Sequence, residues 1–415
     1  MRAATIASVA RPSRRCVALS VGVAALLFVA MACGRSTPPA TPKKEEGAAA
    51  VVSAAAPAVA PAVAAEEQAA SVSTYAAELA ALDAAIAATR GRAAQSPEDW
   101  LVRERLADRF LERARLSGSY DDYTAAEEAL AEAFTIAAPG AGPFMTRARL
   151  NFALHRNDRI EADLDALAKK VMMNDRERAA LIGLRADLAL QRGELAAAIE
   201  GFEEAAAIER TTTAVSRLAL ARWRSGDLEG ADALYAEALV GAGSPMNAAW
   251  THLMRGLLDL ERGHLEAALA HYREGEAHLV GWWLIDEHVA EALRGLGQVD
   301  EARARYEEIV ARTQNPEFMD ALAEIAEERG DAATAARWYT AARAGHERLL
   351  ARYPEAAAGH ALGHFLARGD APARALELAA MNYAQRPNPE AARLLAEAQA
   401  AAGAQAGASA ATGRR

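Results

Sequence analysis

The stretch Gln191-Arg192-Gly193-Glu194-Leu195 ends one run of apolar residues at helical spacing and starts the next. It has echoes at Gly226-Asp227-Leu228, Gly263-His264-Leu265, Gly297-Gln298-Val299 and Gly330-Asp331-Ala332. The glycines are 33, 37, 34 and 33 residues apart. A period in the thirties marks stacked helical units, none of which can bury its apolar face alone. Glycine adopts the left-handed conformation that ends a helix at little cost. Asp227 and Asp331 stand where they can cap the helix that follows.

Around each turn glycine the same landmarks return. With Gly193 go Ala186, Ala198 and Phe202; with Gly226, Ala219, Ala231 and Tyr235. Gly263 has Gly256, Ala268 and Tyr272; Gly297 has Ala290, Ala302 and Tyr306; Gly330 has Ala323, Ala335 and Tyr339. A small residue lets two helices approach closely, and an aromatic fills the gap to the next unit. In this register the chain resembles the tetratricopeptide repeat family, over residues 97–400 and most densely over 176–345. The resemblance implies an all-α, right-handed α-solenoid of about eight helix-turn-helix repeats. Gly118, with Tyr123, Ala126 and Leu130, reads as an earlier unit, and Gly369, with Leu376 and Tyr383, as the last. Asn157 is read as the turn residue of a further unit in place of glycine. Pro389-Glu390 starts a capping helix expected to run to about residue 401.

The N-terminus reads as an address. Residues 1–15 are basic and acid-free, and Cys16 to Ala32 carry no charge. The apolar run fits a secretory signal, and Ala30-Met31-Ala32-Cys33 resembles a bacterial lipobox. The expected organisation is a signal peptide over 1–32, then lipid-bearing Cys33 and a disordered Ala/Pro-rich linker to residue 72. A helix over 73–96, carrying Leu79, Leu82 and Ile86 on one face, precedes the solenoid of 97–402 and a disordered tail, 403–415. As a flexible coil the linker would span roughly 35 Å. No aspartate follows Cys33, which favours the outer membrane or periplasmic side of an envelope.

The formal charge is −10; removing the four arginines of residues 1–32 leaves −14. An acidic body repels phosphate backbones, so nucleic acid is disfavoured as a partner. The two cysteines, Cys16 and Cys33, both precede the repeats, so no disulfide or zinc framework is expected to hold the fold.

In the tetratricopeptide repeat family the first helix of each hairpin lines a concave groove. The resemblance therefore puts Trp223, Arg224 and Trp250 in an apolar stretch of groove, and Glu287, Glu291, Arg294, Asp320, Glu324 and Glu327 in an acidic one. The implied partner is a protein or peptide that is basic or offers an apolar anchor. Residues that would clamp a terminal carboxylate are missing: the corresponding positions hold Gly183, Ser216, Leu253, Glu287 and Asp320. The alternative reading of those glutamates and tryptophans is a solvated face and inter-repeat packing.

Histidines offer the only other chemistry. His264, His271 and His278 share one helical stripe, but at 1.5 Å per residue successive members stand about 10.5 Å apart, too far for one metal. His360 and His364 could chelate zinc with a third ligand, as a metal-dependent hydrolase would require. No phosphate loop, nucleophile elbow or dinucleotide fingerprint is present. The reading is a lipid-anchored scaffold or assembly factor of the bacterial envelope, without cofactor or enzymatic activity. A helper of secretin or outer-membrane assembly is its variant.

Overall fold

A computed structural model describes residues 72–170 and 172–412; the signal, Cys16, Cys33 and the linker lie outside them. Helix α1 (Tyr75–Gln95) stands alone, and eight antiparallel hairpins follow among the described residues. These are α2 (Trp100–Ser117) with α3 (Tyr120–Ile136), α4 (Phe144–Ala153) with α5 (Asn157–Ala168), and α6 (Asp175–Gln191) with α7 (Leu195–Ile208). Next come α8 (Thr212–Arg224) with α9 (Leu228–Val240), α10 (Pro245–Glu261) with α11 (Leu265–His278), and α12 (Trp283–Gly295) with α13 (Val299–Thr313). Last are α14 (Pro316–Glu328) with α15 (Ala332–Arg352) and α16 (Pro354–Arg368) with α17 (Pro372–Gln385). Helix α18 (Pro389–Thr412) covers the end. The architecture is an all-α solenoid, with two two-residue strands, β1 (Ser73–Thr74) and β2 (Leu279–Val280).

The landmarks act as their chemistry requires. Gly193, Gly226, Gly263, Gly297 and Gly330 all have φ between 75° and 88°. Asp227 accepts from the backbone N–H of Gly230, and Asp331 from that of Thr334, capping α9 and α15. The second-helix aromatics Phe202, Tyr235, Tyr272 and Tyr306 are buried. The small residues opposite them leave no spare room. A methyl on Gly256 would stand 2.3 Å from the ring of Tyr272. That clash outweighs the roughly 1 kcal/mol of helix propensity alanine would otherwise add.

Two expectations change. The left-handed residue between α4 and α5 is His155 (φ 56°), not Asn157. Asn157 is instead the first residue of α5, and its buried amide donates to the carbonyl of Gln385 at 2.9 Å. A side chain needed for that distant contact is not free to serve as the turn. At the other end α18 continues as helix to Thr412, through the stretch expected to be disordered. It is rich in alanine, the strongest helix former.

The solenoid closes on itself. Helix α2 ends at Gly118, whose φ is 71° and against which the ring of Trp283 packs. The indole N–H groups of Trp282 and Trp283 both donate to the carbonyl of Leu116, each at 3.0 Å. That oxygen belongs to the last turn of α2, which has no intrahelical donor to offer it. The rings of Tyr120 and Tyr353 pack 5.4 Å apart, and Arg352 pairs with Asp121. Further along, the turn at Gly193 meets Asn388, and Arg224 lies 3.9 Å from Glu390. The early hairpins therefore pack on the late ones.

Candidate functional site

The first helices of the central hairpins face inward, and the chain fills that face itself. Helix α1 packs along α2 and turns Tyr75, Leu79 and Leu82 towards the largest core cluster, which contains Trp223, Trp250, Leu253, Leu257 and Trp282. Its other apolar residue, Ile86, joins Phe110 and Leu106 of α2. Just before α1, β1 pairs in parallel with β2, Ser73 opposite Leu279 and Thr74 opposite Val280. Thr74 then caps α1 by accepting from the N–H of Ala77. Arg113 ties the helix down by bonding both Asp83 of α1 and Asp122 of α3.

This occupancy revises the expected groove. Trp223 and Trp250 are 4% and 0% exposed and belong to the core, so neither presents a face to a partner. The indole of Trp223 donates to Glu261. Arg224 is engaged near α18, as above. Arg294 donates to Glu324 at 2.8 Å and to Glu328 at 2.5 Å, so part of the acidic run is neutralised in place. Among the acidic positions Glu324 and Glu327 keep the most solvent exposure, and Glu327 accepts from the Tyr339 hydroxyl and from Arg368.

The deeper carboxylates meet histidines. Asp320 is bonded through its two oxygens to His346 at 2.9 Å and His364 at 2.7 Å. Burial alone would raise the Asp320 carboxyl; the two imidazoles hold it below its usual value. Glu317 is lowered likewise, against its burial, by His360 at 3.1 Å. His360 and His364 thus have separate carboxylate partners. The third member of the tighter group is His346 of α15, which sequence spacing could not bring in.

Glu287 and Glu291 flank His288, which lies 3.1 Å from the first and 3.3 Å from the second. Burial raises Glu287 to about 8, with His288 opposing and Glu291 adding to the shift. Burial would lower His288, but its two carboxylate neighbours raise it overall. The folded Glu287–His288 pair therefore holds its protons more tightly than the unfolded chain, whose glutamates release theirs near pH 4.3. By linkage this contribution is complete below that pH and is lost as pH rises through about 8. The raised His288 acts in the same direction. Thermal midpoints should fall between pH 6 and pH 8.5, with a slope equivalent to at most about 1.4 kcal/mol per pH unit for one proton. Glu287→Gln should flatten that slope. Equal slopes in the two proteins would show that Glu287 is ionised throughout.

Beside α1 lies a cavity of about 970 Å³, walled by Leu82 of α1, Arg109 of α2, Arg217 of α8 and Met246 of α10. Three of its cations pair with carboxylates of the same wall: Arg109 with Glu112, Lys170 with Glu177, Arg210 with Glu237. The sequence signals that could have found the closure are Gly281-Trp282-Trp283 and the apolar face of α1, but neither names the other as its mate. No helix among the described residues is long and apolar enough to cross a membrane.

No protein-family model matches the chain, and no curated protein matches its sequence. Among solved structures it is similar to PilW, a widely conserved type IV pilus biogenesis factor, at 17% identity, over 51% of this chain and 92% of that one, with a TM-score of 0.40. A tetratricopeptide repeat protein from Parabacteroides merdae is similar at 15% identity over 62% of this chain and 97% of its own, with a TM-score of 0.39. The APC/C hetero-tetramer Cut9–Hcn1 is similar at 13% identity, over 78% of this chain and 74% of that one, with a TM-score of 0.35.

Proposed function

We propose that this chain is a tetratricopeptide-repeat scaffold that binds polypeptide segments, exported and held at the bacterial envelope by a lipid on Cys33. The observation that carries the reading is the segment over residues 73–95, seated on the inner face of the repeats. It is held by strand pairing to β2 and by Tyr75, Leu79 and Leu82 as apolar anchors. These are the two standard devices for holding peptides, strand addition and an amphipathic helix in a groove. The inner face is therefore chemically equipped to hold a polypeptide, and a partner segment would compete with the chain's own. Glu324 and Glu327 line the more exposed rim, where a basic partner would touch.

The test is a labelled peptide of residues 72–95, added to the full chain and to the Leu79→Asp/Leu82→Asp variant. A tethered segment competes at an effective concentration on the order of millimolar. The peptide should therefore bind the variant at least about ten times more tightly than the parent protein. Equal binding to both, or to neither, would overturn the peptide-holding reading. The anchor has a separate test: Cys33→Ala should move the protein from the membrane to the soluble fraction, and retention in membranes would refute it.

A further inference from the structure

The stripe of His264, just before α11, and His271 and His278 on it is too widely spaced to share an ion, but the structure inserts a fourth histidine into it. His252 of α10 crosses the hairpin and lies between two of them, its ring 5.9 Å from that of His271 and 5.3 Å from that of His278. Glu274, three residues after His271, comes to the same place. Its Oε2 is 2.9 Å from His252 Nδ1 and 3.2 Å from His271 Nδ1. One potential ligand atom from each of the three residues lies within 4.8 Å of the other two.

We propose that His252, His271 and Glu274 form a binding site for a divalent transition ion of the zinc class, bridging α10 and α11. Zinc takes imidazole nitrogen and carboxylate oxygen at about 2.0–2.2 Å, which places tetrahedral ligand atoms roughly 3.3 Å apart. The two histidine–Glu274 separations, 2.9 and 3.2 Å, are within a few tenths of an ångström of that spacing, and the two imidazole nitrogens lie no more than 4.8 Å apart. The ligands stand on two helices of one tightly packed hairpin, so the site is formed in advance.

Three further observations point to a ligand rather than to ordinary packing. His252 is 92% buried, yet its Nδ1 makes no hydrogen bond even with Glu274 Oε2 so near. The buried Nδ1 of His278, stacked against the same ring, also makes none. Buried nitrogens left in this way are costly, and a metal ion is one of the few groups that satisfies them. Second, repeat packing does not require histidine here. In the preceding hairpin the positions equivalent to His252 and His271 hold Val215 and Leu234. Third, Asp259 lies 3.7 Å from the other ring nitrogen of His271, so a small shift would make it the outer carboxylate that orients a metal-ligating imidazole. Glu274 is more than half exposed and leaves an entry path and an open coordination position for water.

The Asp320–His346–His364 group differs in the decisive respect. Each imidazole there already has its own carboxylate oxygen.

The test is calorimetric titration of Zn²⁺ into the full-length chain after treatment with a chelator, with thermal melts in parallel. The expected result is one equivalent bound and a thermal midpoint that rises with zinc. His252→Ala, His271→Ala and Glu274→Gln should each weaken binding by on the order of 100-fold. His264→Ala, on the same stripe but outside the cluster, should bind as the parent does. His364→Gln should also bind as the parent does. If His252→Ala unfolds α10, the more accessible His271→Ala carries the test alone. No zinc binding, or binding lost in His364→Gln but kept in His271→Ala, would overturn the site.

Discussion

Trp282→Ala should destabilise the protein by about 3–5 kcal/mol. The side chain is fully buried, and it sits where α1 and the end of α2 meet the central repeats. Removing it opens a cavity beside Trp250 and Leu279 and withdraws one of the two indole donors to the Leu116 carbonyl. Trp282→Phe keeps most of the volume and leaves Trp283 on that carbonyl, so the loss should be near 1 kcal/mol. Urea unfolding gives the size of each effect. Amide exchange gives its location: α1, β1 and the end of α2 should exchange faster in Trp282→Ala, while α16–α18 should change little. Repeat arrays lose structure locally, so such a difference is expected of them. Uniform acceleration over the whole chain would mean that the closure is not a separate layer of the fold.

Arg217→Ala should cost a similar amount, about 3–5 kcal/mol, for a different reason. Arg217 of α8 and Asp187 of α6 lie 2.6 Å apart and are 5% and 1% exposed. Gly183, one turn before Asp187, makes room for the guanidinium; a methyl there would stand 2.9 Å from Nη1. Burial raises Asp187 to about 6 even with the arginine opposing that shift. Without Arg217 the carboxylate would be a buried, uncompensated charge. It escapes by taking a proton, so the damage should shrink as pH falls. Comparing Arg217→Ala with the parent at pH 7 and pH 5 tests this: the gap in stability should be smaller at pH 5. A gap that does not change with pH would assign the loss to packing. Asp187→Asn/Arg217→Leu, which removes both charges, should recover most of the stability.

Sequence reasoning was most reliable where the cause was local. The turn glycines, the caps at Asp227 and Asp331 and the buried aromatics all follow from spacing within one hairpin. It was weakest where a residue's role depends on a distant partner. Asn157 has the residue type of a turn, but its amide is committed to the carbonyl of Gln385. The seven-residue spacing argued against a shared ion on α11, and the argument holds for that helix alone. His252 comes from the helix before it, at a position where the other repeats carry unrelated residues.

The groove marks the boundary between the two kinds of information. Helical period and repeat length are written in consecutive residues, because each hairpin is held by contacts within about 35 residues. The resemblance to the tetratricopeptide repeat family was what put residues such as Trp250, Glu287 and Asp320 on the groove-lining helices. Whether that face is open depends on Ser73 meeting Leu279 and on Leu116 meeting Trp282, pairs far apart along the chain. No periodic pattern records such a meeting. It results from how far a stack of eight hairpins curves, a sum of small rotations that brings the first repeats back onto the last and α1 into the space between.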